Sequence, residues 1–190
     1  MYPPRLAGRF VVSMPELAKL LDGPTIQRTL TRVAHEIAER NEASGDVVLV
    51  GIQDTGVPLA RRLAALLEGI WGHPVPAGAL DISMHRDDLD QRAAPQLHPT
   101  EIPCDINGRT VVLVDDVLFS GRTIRAAMDA LNDFGRPSRI QLAVLVDRGN
   151  RELPIRADFV GKNVSTSPAD WVRVELKELT GMDRISLERK

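Results

Sequence analysis

Three stretches of the chain are almost wholly apolar: Val47 to Ile52, Val111 to Val114 and Ile140 to Val146, where Gln141 is the one polar residue. None alternates with polar residues, so each predicts a strand buried on both faces. Elsewhere the apolar spacing changes to three and four. Ile26, Leu30, Val33 and Ile37 share one face of a helix predicted over 25–42, and further helices are predicted over 57–68 and 124–134. Gly23-Pro24 precedes the first of these and Gly135-Arg136-Pro137 stops the last. An earlier short helix is predicted from Ser13, which with Glu16 makes a capping pattern ahead of Leu17, Leu20 and Leu21. Strands are also expected at 79–84, 159–161 and 171–176. Residues 85–103 hold Pro95, Pro99 and Pro103 with no clean period, which predicts a long loop. Strand and helix alternate along the chain, implying a mostly parallel central sheet with helices on both faces. Ligands of such sheets bind beyond the carboxyl ends of the strands, where Asp54, Asp115-Asp116 and Asp147-Arg148 fall.

Composition narrows the function without naming it. With 190 residues, 43% hydrophobic and 26% charged, the chain can fold as one domain with its own core. Its single cysteine, Cys104, cannot form an internal disulfide, and no apolar run nears the roughly 20 residues a membrane helix needs. A cytoplasmic protein with no membrane partner is therefore expected. The net charge of -2 excludes a uniformly basic coat for nucleic acid but not a local basic patch. Two such patches exist. Arg28, Thr31, Arg32 and His35 lie on the helix face opposite the apolar one, which a solvated amphipathic helix would equally explain. From 136 to 162 there are six basic residues against three acidic ones, and arginine and threonine donors suit phosphate contacts.

The sharpest local feature runs from Val111 to Thr123. An apolar strand ends in Asp115 and Asp116, crosses Val117, Leu118 and Phe119, and enters a helix through Ser120, Gly121, Arg122 and Thr123. Adjacent carboxylates repel unless a cation or hydroxyl groups satisfy them, and a sugar diol or a magnesium-bound polyphosphate would do so. The free amides and hydroxyls at a helix start form an anion site. Carboxylates beside an amide nest describe a phosphosugar pocket; the blander alternative is a helix cap preceded by two solvated acids. No Gly-Lys-Ser/Thr phosphate loop and no dinucleotide glycine fingerprint is present.

This segment resembles the PRPP-binding motif of the type I phosphoribosyltransferases. The wider pattern, in Arg28 to Glu36, Asp81 to Leu89, Ala126 to Leu131 and above all Gly135 to Asn163, is similar to the PyrR family of bifunctional pyrimidine operon regulators and uracil phosphoribosyltransferases. The resemblance implies the α/β type I fold with a small hood. Residues 1–22 would be an N-terminal extension with a short helix, and 23–190 a single domain with its hood largely from 147–170. It implies transfer of 5-phosphoribosyl from PRPP to uracil, giving UMP and pyrophosphate with Mg2+. Asp115 and Asp116 would hold the ribose hydroxyls, directly or through magnesium-bound water, and Ser120, Gly121, Arg122 and Thr123 the 5′-phosphate, with Phe119 also among the substrate-binding residues. Asp54, Thr55 and Gly56 would form the pyrophosphate loop, and Arg86 would close over it from the long loop. Val146, Asp147 and Arg148, with Ile155 to Phe159, would face the base. On the second surface, Arg28, Thr31, Arg32, His35, Arg40, Arg148, Arg151 and Lys162 would bind the mRNA leader of the pyrimidine operon, with UMP or UTP as effector. A homodimer is the default, and the family also forms higher assemblies.

One departure stands out. The family usually carries Thr-Arg-Gly where this chain has Asp54-Thr55-Gly56, so an arginine is replaced and a carboxylate is added near a pyrophosphate site. Like charge there predicts a weakened transferase. The alternatives are an RNA-binding regulator with an inactive pocket, or a metabolic phosphoribosyltransferase with no RNA role.

Overall fold

The computed structural model describes residues 16–42, 44–85 and 98–189. Along the chain the elements are β1 (Glu16–Asp22), α1 (Gly23–Arg40), β2 (Val47–Ile52), α2 (Gly56–Trp71), β3 (Ala77–Leu80), β4 (Thr110–Leu118), α3 (Arg122–Leu131), β5 (Arg139–Asp147), β6 (Phe159–Asn163), β7 (Trp171–Glu175), α4 (Lys177–Thr180) and β8 (Arg184–Arg189). Five strands form one parallel sheet in the order β3-β2-β4-β5-β6. The apolar runs are explained by its two faces. Val112 and Val114 of β4 point into a core shared with α1 and α2, whereas Val111 and Leu113 point into a second core shared with α3. β2 divides in the same way, with Val47 and Leu49 on one side and Val48, Val50 and Ile52 on the other.

α1 buries Ile26, Leu30, Val33, Ala34 and Ile37, the face its spacing predicts. Its cap is Asp22, whose carboxylate accepts from the Thr25 hydroxyl (2.6 Å) and the Thr25 amide (3.1 Å). These bonds, the hydroxyl's above all, hold the Asp22 carboxyl down to about 2.

Two expectations about the chain's ends are corrected. The residues following Ser13 are not helical where they are described: Glu16–Asp22 is a strand, antiparallel to β8. Leu17, Leu20 and Leu21 have helical spacing, but a register shift between Lys19 and Leu21 lets a bulged strand turn both Leu20 and Leu21 toward the core. Ser13 itself lies outside the described residues. The second correction concerns the small layer, expected largely from 147–170. That segment holds the end of β5 and all of β6, which belongs to the main sheet. The separate layer is instead a three-stranded sheet, β1-β8-β7, built from both ends of the described chain. Val172, Ile185 and Leu187 are buried in the core under α1 and α2, so this layer is fastened by the same burial as the main sheet. Arg62 of α2 adds an ionic tie, meeting Glu178 Oε1 at 2.8 Å and Asp183 Oδ1 at 2.7 Å.

Candidate active site

β4 is paired on both sides, and its carboxyl end is where the chemistry collects. β2 stays in register with β4 as far as Gly51 opposite Val114, then turns away, so Asp115 and Asp116 emerge where one neighbour has left. Asp115 is buried and its Oδ1 accepts the Asp116 amide at 2.9 Å. Asp116 is half-buried, and its Oδ1 accepts the Val117 amide at 2.7 Å. Removal from water pushes the Asp116 carboxyl up, against hydrogen bonds from the Thr55 side chain and the Val117 amide. Such a group gains from a hydroxyl donor or a cation.

The next three residues are fixed by their carbonyls. Leu118 O accepts from the Arg148 amide at 3.1 Å, and Phe119 O from Arg151 Nη1 at 2.8 Å. Ser120 O accepts from the amides of Glu152 and Leu153, each at 3.0 Å. In a trans peptide the following N–H points opposite to the carbonyl, so the amides of Phe119, Ser120 and Gly121 are turned away from the 148–153 segment. Gly121 has φ +95°, and α3 begins at Arg122 with its first amides lacking helical acceptors. Oriented loop amides and a helix start together favour a phosphate group.

The second loop joins β2 to α2 through Gln53, Asp54 and Thr55, and the peptide between Gln53 and Asp54 is cis. Gly56 is required where α2 starts: a Cβ there would lie 2.3 Å from Val114 O. That close approach places Thr55 against Asp116 and brings both loops to one end of the sheet. The Asp54 side chain is 61% exposed, and its Oδ1 lies 3.2 Å from His98 Nε2.

At the carboxyl end of β5, Val146 is wholly buried and offers only its backbone. The Asp147 carboxylate accepts the Gly149 amide at 2.9 Å and pairs with Arg151. Arg148 is 5% exposed; it bonds Thr166 Oγ1 at 3.1 Å and Ser167 O at 2.9 Å, and its guanidinium lies 4.2 Å from the Phe119 ring centre. A cleft of 340 Å³ opens here, lined in part by Asp147, Arg148, Asn163, Ser165 and Thr166. In the segment Ile155 to Phe159, whose backbone groups are expected near the base, the apolar side chains turn inward. Ile155 packs on Gly121, while Ala157 and Phe159 are buried in the two cores. Arg86 and most of the long loop lie outside the described residues.

The helix face is continuous with β6. Arg28, Arg32 and His35 are exposed and Thr31 is half-exposed. Arg32 donates to Val160 O at 3.0 Å and Gly161 O at 2.6 Å and pairs with Glu36. Arg40 meets Asp158 at 3.1 Å, and Lys162 reaches Leu20 O at 3.4 Å. Arg148 and Arg151 do not join this face. Arg148 spends its donors on Thr166 and Ser167 and Arg151 on Asp147, Phe119 O and Ile155 O, a local curling that no sequence period reveals. Among the described residues, no cluster of three or more His, Cys, Asp or Glu is placed to hold a metal, and no helix is long and apolar enough to cross a membrane.

The sheet order, the paired acids and the amide nest define a phosphoribosyl transferase, and the profile of the phosphoribosyl transferase domain matches residues 17–178. Solved hypoxanthine phosphoribosyltransferases share the fold. One from Trypanosoma cruzi, in complex with IMP, superposes with a TM-score of 0.70 at 20% identity over 98% of each chain. One from Bacillus anthracis gives 0.67 at 18% identity over 89% of this chain and 96% of the other. Sequence relatives are far nearer, and they are bifunctional proteins named PyrR. That of Roseiflexus is 63% identical over 164 residues, 86% of this chain and 90% of the relative. That of Streptomyces coelicolor is 61% identical over 176 residues (92% and 91%), and that of Bacillus pumilus 54% over 180 (93% and 100%). The chain belongs to the PyrR family.

Proposed function

We propose that the protein is a uridine-nucleotide-responsive RNA-binding regulator of pyrimidine biosynthetic genes that also transfers 5-phosphoribosyl from PRPP to uracil. Membership of the PyrR family supports both halves, and one observation supports the enzymatic half most: Asp115 and Asp116 stand beside a loop whose carbonyls are tied back and whose amides are free to meet phosphate. In this reading the nest binds the 5′-phosphate and the two acids hold the ribose hydroxyls. The cleft beyond Asp147 receives uracil. Departure of pyrophosphate leaves positive character on the sugar carbon, and the nearby carboxylates stabilise it. Asp115 and Asp116 also fit Mg2+ as hard oxygen donors, too few to cage it and suited to an ion that keeps most of its water. When bound, Mg2+ supplies charge neutralisation at the departing pyrophosphate.

RNA would lie on the α1 and β6 face and meet Arg28, Thr31, Arg32, His35, Arg40 and Lys162, in a homodimeric protein. UMP and PRPP share the nest, so nucleotide occupancy would report pyrimidine supply. The exposed Asp54 carboxylate favours, as a second reading, a regulator whose turnover is lost. The test combines turnover of PRPP and uracil with mobility of a pyrimidine-operon leader RNA, with and without UMP. Turnover together with UMP-strengthened RNA binding is expected. The double substitution Arg32→Ala, His35→Ala should weaken RNA binding at least tenfold while sparing turnover, consistent with about 1 to 3 kcal/mol for charged contacts. RNA binding indifferent to UMP would exclude the regulator.

A further inference from the structure

Asp54 poses a charge problem that a distant residue answers. The loop that should meet a polyanion carries a carboxylate and, at Thr55, no cation. A compensating group comes from 44 residues later in the chain. His98 stands where the long loop returns to the sheet, and its Nε2 faces Asp54 Oδ1 at 3.2 Å. Its position is fixed from behind. The His98 amide donates to Asp81 Oδ2 at 2.7 Å, while Asp81 Oδ1 accepts the Ser83 amide at 2.7 Å, so one carboxylate joins the two stems of that loop. Thr100 Oγ1 accepts the Asp81 amide at 3.0 Å, and Ala79 and Glu101 exchange backbone bonds just beyond. The imidazole is therefore delivered by a braced segment and not by a free side chain swinging from an unsupported loop.

We propose that His98 is a positioning residue for the pyrophosphate loop: its imidazolium draws the Asp54 carboxylate toward the loop stem and cancels the charge that would otherwise face the pyrophosphate of PRPP. The loop thus recovers, from another segment, part of the positive character that Thr55 does not supply. This rests on the phosphoribosyl-transfer reading. The pair borders an open groove of 680 Å³, and among the described residues the charged groups around His98 are Asp54 on its loop, Asp81 behind it, and Arg61 of α2, Glu178 of α4 and Glu101 along the same groove. Among these side-chain types, imidazole is the one that generally changes charge between about pH 6 and pH 8.

The experiment uses the full chain, with wild type, His98→Gln, Asp54→Thr and the double variant compared across that pH range. PRPP affinity, KM for PRPP and kcat are measured with magnesium, and the histidine rings are followed by NMR. His98→Gln should raise KM for PRPP about three- to tenfold with kcat changed less than about twofold, as suits a partly exposed ion pair. The same change in the Asp54→Thr background should have a clearly smaller effect. Wild type should lose PRPP affinity with rising pH more steeply than Asp54→Thr, a comparison in which the titration of PRPP itself cancels. The His98 ring should also titrate at lower pH once Asp54 is removed. Equal effects of His98→Gln in both backgrounds, or a His98 titration indifferent to Asp54, overturn the proposal alone. Failure of all four proteins to bind PRPP overturns the phosphoribosyl reading itself, and the proposal with it.

Discussion

After β4 the chain enters α3 through Phe119, Ser120 and Gly121; after β2 it enters α2 through Gln53, Asp54 and Thr55. Both crossings lie at the carboxyl end of one parallel sheet, yet they are held differently. The first is held from outside, by a later segment that engages the carbonyls of Leu118, Phe119 and Ser120. The second is held from beneath, by Gly56 lying almost on Val114 and by the Thr55 side chain on Asp116. A loop braced through its carbonyls is free to present amides, so its side chains matter less: Ser120 and Phe119 need only fit. A loop braced by backbone contact presents its side chains instead. A change such as Asp54 therefore alters the site's charge without disturbing its shape.

The largest effect is expected where the loops meet. Asp116→Asn should reduce turnover by about 10² to 10³-fold, the scale for losing one preorganised charged group. It should also stabilise the protein at pH 7. Because burial raises the Asp116 carboxyl, the stability it contributes is complete below the unfolded value near 3.9 and is lost as pH rises through the folded value. At neutral pH that loss is in force, and asparagine removes it. A rise in Tm of about 2 to 4 °C by calorimetry is expected; a fall would show that Asp116 is not strained by its surroundings.

Next in size, the glycines separate the two kinds of brace. Gly56→Ala must push backbone from backbone and should cost roughly 3 kcal/mol or more in denaturant unfolding. Gly121→Ala meets only the Ile155 and Leu153 side chains, nearest at 3.3 Å, besides its unfavourable φ, and should cost about 1 to 2 kcal/mol. Comparable costs would erase the distinction. The smallest effect is at the stem of the long loop. Burial alone would raise the Asp81 carboxyl, but hydrogen bonds from Ser83 and the His98 amide carry it below its usual value. Its contribution is present above about 3.9 and lost as pH falls through the lowered value, so Asp81→Asn should flatten the decline of Tm below about pH 4.

The parallel sheet was legible because both faces of β2, β4 and β5 are buried, leaving runs such as Val111 to Val114 that admit few other readings. The acids and the amide nest were legible because one short segment carries them. What escaped was non-local or conformational. β1 has helical spacing only because of a bulge, and its partner β8, with Ile185 and Leu187 alternating against polar neighbours, was too short to claim unaided. Arg148 and Arg151 share a charge with the helix face, and nothing in their spacing says that they fold back onto carbonyls. His98 meets Asp54 only because Asp81 joins the stems of a loop between them.

The pairing of β1 with β8, Glu16 opposite Arg189, also sets an order of events during synthesis. Asp22 can cap α1 as soon as both leave the ribosome, but the strand ahead of it has no partner until the opposite end of the sheet has been translated. At about 5 to 20 residues per second this wait is roughly 10 to 30 s. Through that interval Leu20 and Leu21 remain attached to an open strand edge, a surface for chaperones to cover or for neighbouring nascent chains to capture. Expression yield should therefore respond to the rate of elongation more than to the final stability of the fold.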